Sequence, residues 1–108
     1  MDIQLKRGLL DLCVLAAIRD EDSYGYRIIR DMKPYVDLSE STLYPILRRL
    51  EVSELLTVRS AEHNGRLRKY YRITDRGRER LAAFPAEWEE ICEIHDFIVK
   101  EGDPHDEI

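Results

Sequence analysis

The hydrophobic period of this chain changes from that of a helix to that of a strand near position 55, and this change limits the possible folds most. Leu43, Leu47 and Leu50 repeat at helical spacing, whereas apolar and polar residues alternate after position 55. The alternation runs on both sides of Asn64 and Gly65, a pair that tolerates the positive φ angles of a tight hairpin turn. The sequence therefore predicts a helix followed directly by a β-hairpin, in a mainly α protein of the α+β class.

Polar and basic side chains occupy the side of this helix that its leucines leave free. Arginine can read guanine in the major groove of DNA, and serine, threonine and tyrosine can donate hydrogen bonds to phosphates. A single helix of this composition is more often a solvated surface helix, so the helix alone does not decide between the two interpretations. Ser39 is the candidate N-cap residue of this helix. Pro45 lacks an amide donor, so the helix could instead begin nearer Ser41. The candidate DNA-binding residues of this helix are Ser39, Ser41, Thr42, Tyr44, Arg48 and Arg49.

The predicted hairpin is basic. Charges on a hairpin sometimes serve only to protect its edges from aggregation. Directly after an arginine-bearing helix, however, a basic hairpin is more typical of the wing of a winged helix-turn-helix domain, which holds the DNA backbone beside the groove. The candidate phosphate contacts of this wing are Arg66, Arg68, Lys69 and Arg72.

Charge is unevenly distributed along the chain. The formal net charge of −5 is unfavourable for a protein that binds polyanions. Residues 39–80, however, hold ten Lys and Arg against six Asp and Glu, and residues 85–108 hold one Lys against nine acidic residues. This asymmetry is expected when one part of a protein faces nucleic acid and another part stays away from it.

Three further helices are expected around this unit. The first, over about residues 3–19, is apolar enough to be buried on more than one side. Ser23 is the predicted cap of a second helix, which ends near Lys33. Thr74 caps a final helical region that Pro85 either kinks or restarts.

An apolar stripe continues along this final region, where no other part of the chain is left to cover it. A second copy of the same helix is the simplest partner, so we predict a homodimer. The chain is then divided into a winged helix-turn-helix domain over residues 1–84 and a dimerisation helix with an acidic tail over residues 85–108. The predicted dimer interface is Trp88, Ile91, Cys92, His95 and Ile98.

Other kinds of chemistry have little support in the sequence. Cys92 and His95 lie one helical turn apart, but no further ligands follow at the spacing of a metal site. The acidic residues between positions 87 and 93 point in different directions from a helix, which is typical of a solvated face. No nucleophile, base and orienting partner can be assembled, so we predict neither an enzyme nor a bound metal or cofactor.

The two cysteines, Cys13 and Cys92, are far apart and form no CxxC motif. The longest apolar stretch, over residues 9–18, is too short to span a bilayer and lacks the pattern of a signal peptide. We therefore expect a cytoplasmic protein with reduced thiols and no membrane partner.

Five segments of the chain resemble those of PadR-type transcriptional regulators in order and spacing: KRGLLDLCVLAAI, SYGYRI, STLYPILRRLE, RKYYRIT and RGRERL. The resemblance implies a homodimeric repressor that binds an inverted-repeat DNA operator. It assigns groove reading to residues 39–51, the wing to residues 55–73 and dimerisation to the helix that contains Glu87 and Trp88. The chain has Ser41 and Glu54 where the family usually has glycine, and Glu54 is expected to strain a left-handed helix end.

Ligand-responsive members of this family also imply a small aromatic or drug-like effector beside Trp88, a residue that is otherwise more often part of a core or dimer contact. The predicted function is a sequence-specific DNA-binding regulator, a homodimeric repressor that such an effector releases. The alternative is a winged-helix module that docks a protein partner without binding DNA.

Overall fold

The computed structural model describes residues 3–100, which form four helices and one antiparallel two-stranded sheet. This arrangement confirms the predicted winged helix-turn-helix fold of the α+β class. The predicted acidic tail lies largely outside the described residues. In chain order the elements are α1 (Ile3–Ala17), α2 (Gly25–Met32), α3 (Glu40–Val52), β1 (Leu56–His63), β2 (Arg66–Ile73) and α4 (Asp75–Val99).

Helix α1 is the central rod of the core, as its apolar sequence predicts. Val14, Leu15 and Ile18 are almost completely buried. They belong to one cluster with the apolar sides of α2 and α3 and with the base of the hairpin, where Leu56 pairs with Ile73. This cluster fixes the orientation of α3 and the hairpin relative to each other.

The start of α2 differs from the prediction that Ser23 is its cap. The N-cap position is Tyr24, and no side chain among residues 3–100 caps it. Ser23 is buried and pairs with β2 instead: its amide donates to the carbonyl of Tyr71 at 3.1 Å and its carbonyl accepts from the amide of Tyr71 at 2.8 Å. The prediction was wrong because a serine before a helix satisfies the sequence rule for a cap, whereas the nearby hairpin offers its backbone a better partner.

The start of α3 is settled in favour of Ser39. Its hydroxyl oxygen accepts a hydrogen bond from the amide of Thr42 at 3.3 Å, which satisfies one of the free amides at the helix start. Pro45 lies inside the helix, where its ring leaves the carbonyl of Ser41 without the usual helical donor.

Helix α3 ends in a left-handed turn at Glu54, as the family resemblance implies. Glu54 has a φ of 62°. Its amide donates to the carbonyl of Glu51 and the amide of Leu55 donates to the carbonyl of Leu50, both at 2.9 Å. This is the Schellman arrangement, in which glycine is the usual left-handed residue. A side chain at this position costs about 1 to 2 kcal/mol relative to a right-handed conformation.

The Glu54→Gly variant is therefore expected to raise the free energy of unfolding by about 1 kcal/mol, because glycine adopts this conformation without a steric penalty. The ion pair that Glu54 forms with Arg76 is exposed, so its loss has a small effect. Urea denaturation measures the difference. Glu54→Ala is the control, since it removes the same carboxylate and keeps the strained Cβ; equal stabilisation by both variants would contradict the strain argument.

Helix α4 is one continuous helix, so the prediction that Pro85 restarts it is wrong. The predicted domain boundary after residue 84 consequently falls inside a helix. The side chains of Arg80 and Glu87 form a two-point ion pair that spans Pro85, with a shortest N–O distance of 2.7 Å. This contact bridges the turn in which proline removes a backbone hydrogen bond. At 25 residues, α4 is about 37 Å long.

None of the helices found among residues 3–100 combines the length and apolar character that crossing a membrane requires.

Candidate nucleic-acid interface

The exposed side of α3 and of its N-cap carries five of the six side chains that were predicted to contact DNA from this helix. Leu43, Leu47 and Leu50 are at most 2 % exposed, so they fix which side of the helix faces solvent. The exposed predicted residues are Ser39, Ser41, Thr42, Tyr44 and Arg48. The structure therefore brings these five side chains together along one side of the helix, beginning at its N-terminus.

Arg49 is separated from this group. Its guanidinium forms a two-point ion pair with Asp11 of α1, in which Nε lies 3.3 Å from Oδ2. Both side chains are less than one third exposed. Arg49 thus ties α3 to the central helix, and we exclude it from the interface that we propose below. The pairing was not predictable from local sequence, since 38 positions separate the two residues.

The basic residues of the hairpin lie on two different faces. Alternation along β2 places Lys69 on the same face as Tyr71, which is buried towards the core. Arg66, Arg68 and Arg72 lie on the opposite face, which we call the outer face of the wing. The turn has positive φ angles at Asn64 and Gly65, 51° and 78°, as the Asn-Gly pair predicts.

Arg72 already has a partner within the chain. Its Nε lies 3.0 Å from Oδ1 of Asp22, whose other oxygen lies 3.2 Å from Nη2 of Arg59. The hydrogen bond from Arg72, with a further contribution from Arg59, lowers the pKa of the Asp22 carboxyl. The sequence analysis did not identify Asp22, because nothing in its local sequence shows that it meets the hairpin.

An open groove of about 790 Å³ runs between the start of α2, the start of α3 and the wing. Lys69 and Arg68 lie along its wing side, and Tyr44 lies along its α3 side. A Cβ atom at Gly25 would lie 2.8 Å from the hydroxyl of Tyr44, so glycine allows this tyrosine to lie directly over the start of α2. The groove combines cations with hydroxyl donors, which is the chemistry that binds phosphates.

The predicted dimer residues lie beyond the core on α4. Trp88 is 50 % exposed and Ile98 is 72 % exposed, and Ile91 and His95 are also exposed. Cys92 is half-buried. The apolar surface is wider than predicted, because Ile94, Phe97 and Val99 are also exposed. Of these three, Ile94 and Phe97 follow the helical period less closely, and the stripe identified from sequence omitted them.

Within residues 3–100, no three His, Cys, Asp or Glu side chains come close enough to hold a metal ion. Cys13 and Cys92 are free thiols. Burial raises the pKa of the Cys13 thiol, which disfavours its reactive thiolate form.

Comparison with known proteins agrees with the winged helix-turn-helix fold described above. Residues 14–83 match the model of the transcriptional regulator PadR-like family. A transcriptional regulator of Mycobacterium tuberculosis is 30% identical over 90 residues, which are 82% of this chain and 84% of that protein.

Solved structures show the same similarity. The crystal structure of a PadR family regulator from Eggerthella lenta superposes with a TM-score of 0.80 at 32% identity, covering 93% of this chain and 89% of that one. Bacillus subtilis PadR in complex with operator DNA shares the fold, with a TM-score of 0.64 at 22% identity over 88% of this chain and 49% of that one. This chain belongs to the PadR-like family of transcriptional regulators, which are not enzymes.

Proposed function

We propose that this protein is a homodimeric repressor that places α3 in the major groove of an inverted-repeat operator and the wing on the flanking backbone. The observation that carries the proposal is the exposed face of α3, which lies beside a groove with basic residues on its wing side. The structure of Bacillus subtilis PadR with operator DNA supports a DNA ligand for this fold.

The availability of the cations supports the same proposal. Arg48, Arg66 and Lys69 are exposed, and none of them forms an ion pair with another described residue. Arg49 and Arg72, in contrast, are neutralised by carboxylates of the same chain. Phosphates attract the cations that have no intrachain partner, because no existing ion pair has to be broken.

The second copy is inferred from α4. Phe84, Trp88, Ile91, His95 and Ile98 recur at alternating spacings of four and three residues, which is the period of a coiled-coil seam. Exposed apolar side chains along such a seam are normally covered by another helix. Antiparallel or parallel pairing of two α4 helices would present two α3 helices to DNA, which requires an operator of two half-sites about 10 bp or a multiple apart.

Binding of the protein to its own promoter region tests the proposal. We expect fluorescence anisotropy to show binding that is at least 1000-fold tighter for the specific site than for random DNA and that weakens steeply with salt. A footprint should have two-fold symmetry. If no promoter fragment binds more tightly than random DNA, the alternative of a winged-helix module for protein partners is favoured.

The proposed wing contacts also predict how the salt dependence of DNA binding should change in wing variants. Arg66→Ala and Lys69→Ala should each weaken binding to specific and random DNA alike and lower the salt slope by about one unit, since each removes one phosphate contact. The matched control is Lys33→Ala, which removes the same charge immediately after α2 and away from the groove. An unchanged slope in both wing variants would show that the wing does not touch DNA.

An effector is proposed at Trp88, the single tryptophan of the chain. Its ring lies against Phe84, with 6.2 Å between ring centroids, and is half exposed on α4. A planar aromatic ligand that stacks here would release DNA by favouring a dimer with differently spaced α3 helices. Titration with aromatic compounds should quench the fluorescence of Trp88 and lower operator affinity together. Unquenched fluorescence across a broad panel would leave Trp88 as a packing residue.

A further inference from the structure

A short segment before α2 pairs with the wing through an isolated β-bridge. Ser23 pairs with Tyr71 of β2 through two backbone hydrogen bonds, and the Ser23 side chain is buried. Because side chains alternate along extended backbone, Asp22 and Tyr24 lie on the opposite side, over the outer face of the wing. Residues 22–24 therefore contact the wing with both backbone and side chains.

Asp22 joins both strands of the hairpin. One carboxylate oxygen accepts from Arg72 of β2 at 3.0 Å, and the other lies 3.2 Å from Nη2 of Arg59 of β1. The side chain of Asp22 is 20% exposed, whereas the two arginines are more than half exposed. The carboxylate is thus the enclosed member of the group, and the arginines close over it from solvent.

Aromatic contacts continue this set of interactions towards the tip of the wing. The rings of Tyr24 and Tyr70 meet edge to face at 5.9 Å. The guanidinium of Arg68 lies 3.9 Å from the centre of the Tyr24 ring, and that of Arg59 lies 4.7 Å from the Tyr70 ring. Each of these contacts is modest at a partly exposed site, and together with the ion pairs of Asp22 they restrain the wing.

A restraint at the base of the hairpin has a large effect at its tip, because a small tilt at the base is amplified along the length of the strands. Arg66, at the end of β2 nearest the tip of the wing, lies six residues before Arg72, roughly 20 Å along the strand. A tilt of about 10° at the base would therefore move the tip by roughly 3 Å, which is enough to break a hydrogen bond to a phosphate.

We propose that Asp22 is a positioning residue for DNA recognition: it holds Arg59 and Arg72 at the base of the wing and thereby sets where Arg66 and Lys69 meet the DNA backbone. The inference rests on the proposed function and assigns Arg72 a role different from the phosphate contact predicted by sequence. The lowered pKa of the Asp22 carboxyl agrees with a carboxylate held by two guanidinium groups.

The DNA experiment compares Asp22→Asn with Asp31→Asn. Both remove one carboxylate that pairs with two arginines, but Asp31 pairs with Arg27 and Arg30 on α2. We expect Asp22→Asn to weaken operator binding about tenfold and to leave binding to random DNA unchanged or slightly tighter, since two arginines are released. Asp22→Glu should restore most of the operator affinity. Equal operator affinities of Asp22→Asn and Asp31→Asn would overturn the proposal.

Arg72 gives a second test with DNA. Arg72→Ala should reduce operator affinity as Asp22→Asn does, and combining Arg72→Ala with Asp22→Asn should reduce it no further, because both changes break the same restraint. Additive losses of operator affinity in the double variant would make Arg72 a phosphate contact independent of Asp22 and would also overturn the proposal.

Hydrogen exchange tests the restraint without DNA. The amide of Tyr71, which donates to Ser23, should exchange at least tenfold faster in Asp22→Asn than in wild type, while core amides of α1 are unaffected. Unchanged exchange at Tyr71 contradicts the inference even when DNA binding changes. If wild type binds no operator, the proposed function fails, and the exchange result still shows whether Asp22 restrains the wing.

Discussion

Replacing Gly77 by alanine should lower the free energy of unfolding by about 3 kcal/mol, because the added methyl group overlaps with backbone that cannot move independently. A Cβ atom at Gly77 would lie 2.2 Å from the carbonyl oxygen of Leu55 and 2.7 Å from Cγ1 of Ile73. That carbonyl also accepts from the amide of Thr74 at 3.1 Å, so moving it breaks the junction between hairpin and α4. Urea denaturation followed by circular dichroism measures the loss.

Gly8→Ala is a matched control for which the free energy of unfolding should rise instead of fall. Gly8 lies in α1, where an added Cβ would meet no described atom within 4 Å. Alanine is the better helix former by about 1 kcal/mol, so this variant should be slightly more stable than wild type. If Gly77→Ala were also neutral or stabilising, the close approach between α4 and Leu55 would not exist in solution.

The Ile91→Glu variant is expected to be monomeric and to bind the operator at least 100-fold more weakly than wild type. Ile91 is in the centre of the proposed seam, one turn from both Trp88 and His95. A glutamate there would place a charge in each half of a buried, symmetric contact, at a cost of several kcal/mol. Because each monomer keeps a single α3, the affinity gained from binding two half-sites together is lost as well.

In this variant the dimer seen by sedimentation velocity and the operator affinity seen by titration should be lost together. The control is Glu89→Gln, which changes the charge by one unit in the opposite direction at an exposed position on the opposite side of α4. Its dimer and its operator affinity should match those of wild type. A stable Ile91→Glu dimer would remove α4 from the interface, and a monomer with full operator affinity would show that dimerisation is not needed for binding.

The sequence by itself determined the elements whose causes are local. The Asn-Gly turn and the apolar period of α1 depend on residues within a few positions of one another. The same local rules identified the exposed side of α3, because the buried leucines leave only one side for Ser41, Thr42 and Arg48. The order of these elements was sufficient to predict the fold, and the resemblance of five sequence segments gave the family.

Only the tertiary structure decided which charged and polar groups are available. Ser23 pairs with a strand 48 positions away instead of capping α2, Arg49 meets Asp11, and Arg72 meets Asp22 at a separation of 50. Each of these residues satisfies a local rule for another role, as a helix cap or as a DNA contact. Long-range packing overrides the rule because a partly enclosed ion pair or backbone pair gains more free energy than a solvated group does. Which arginines remain for DNA is consequently fixed by the fold, and no local pattern in the sequence records it.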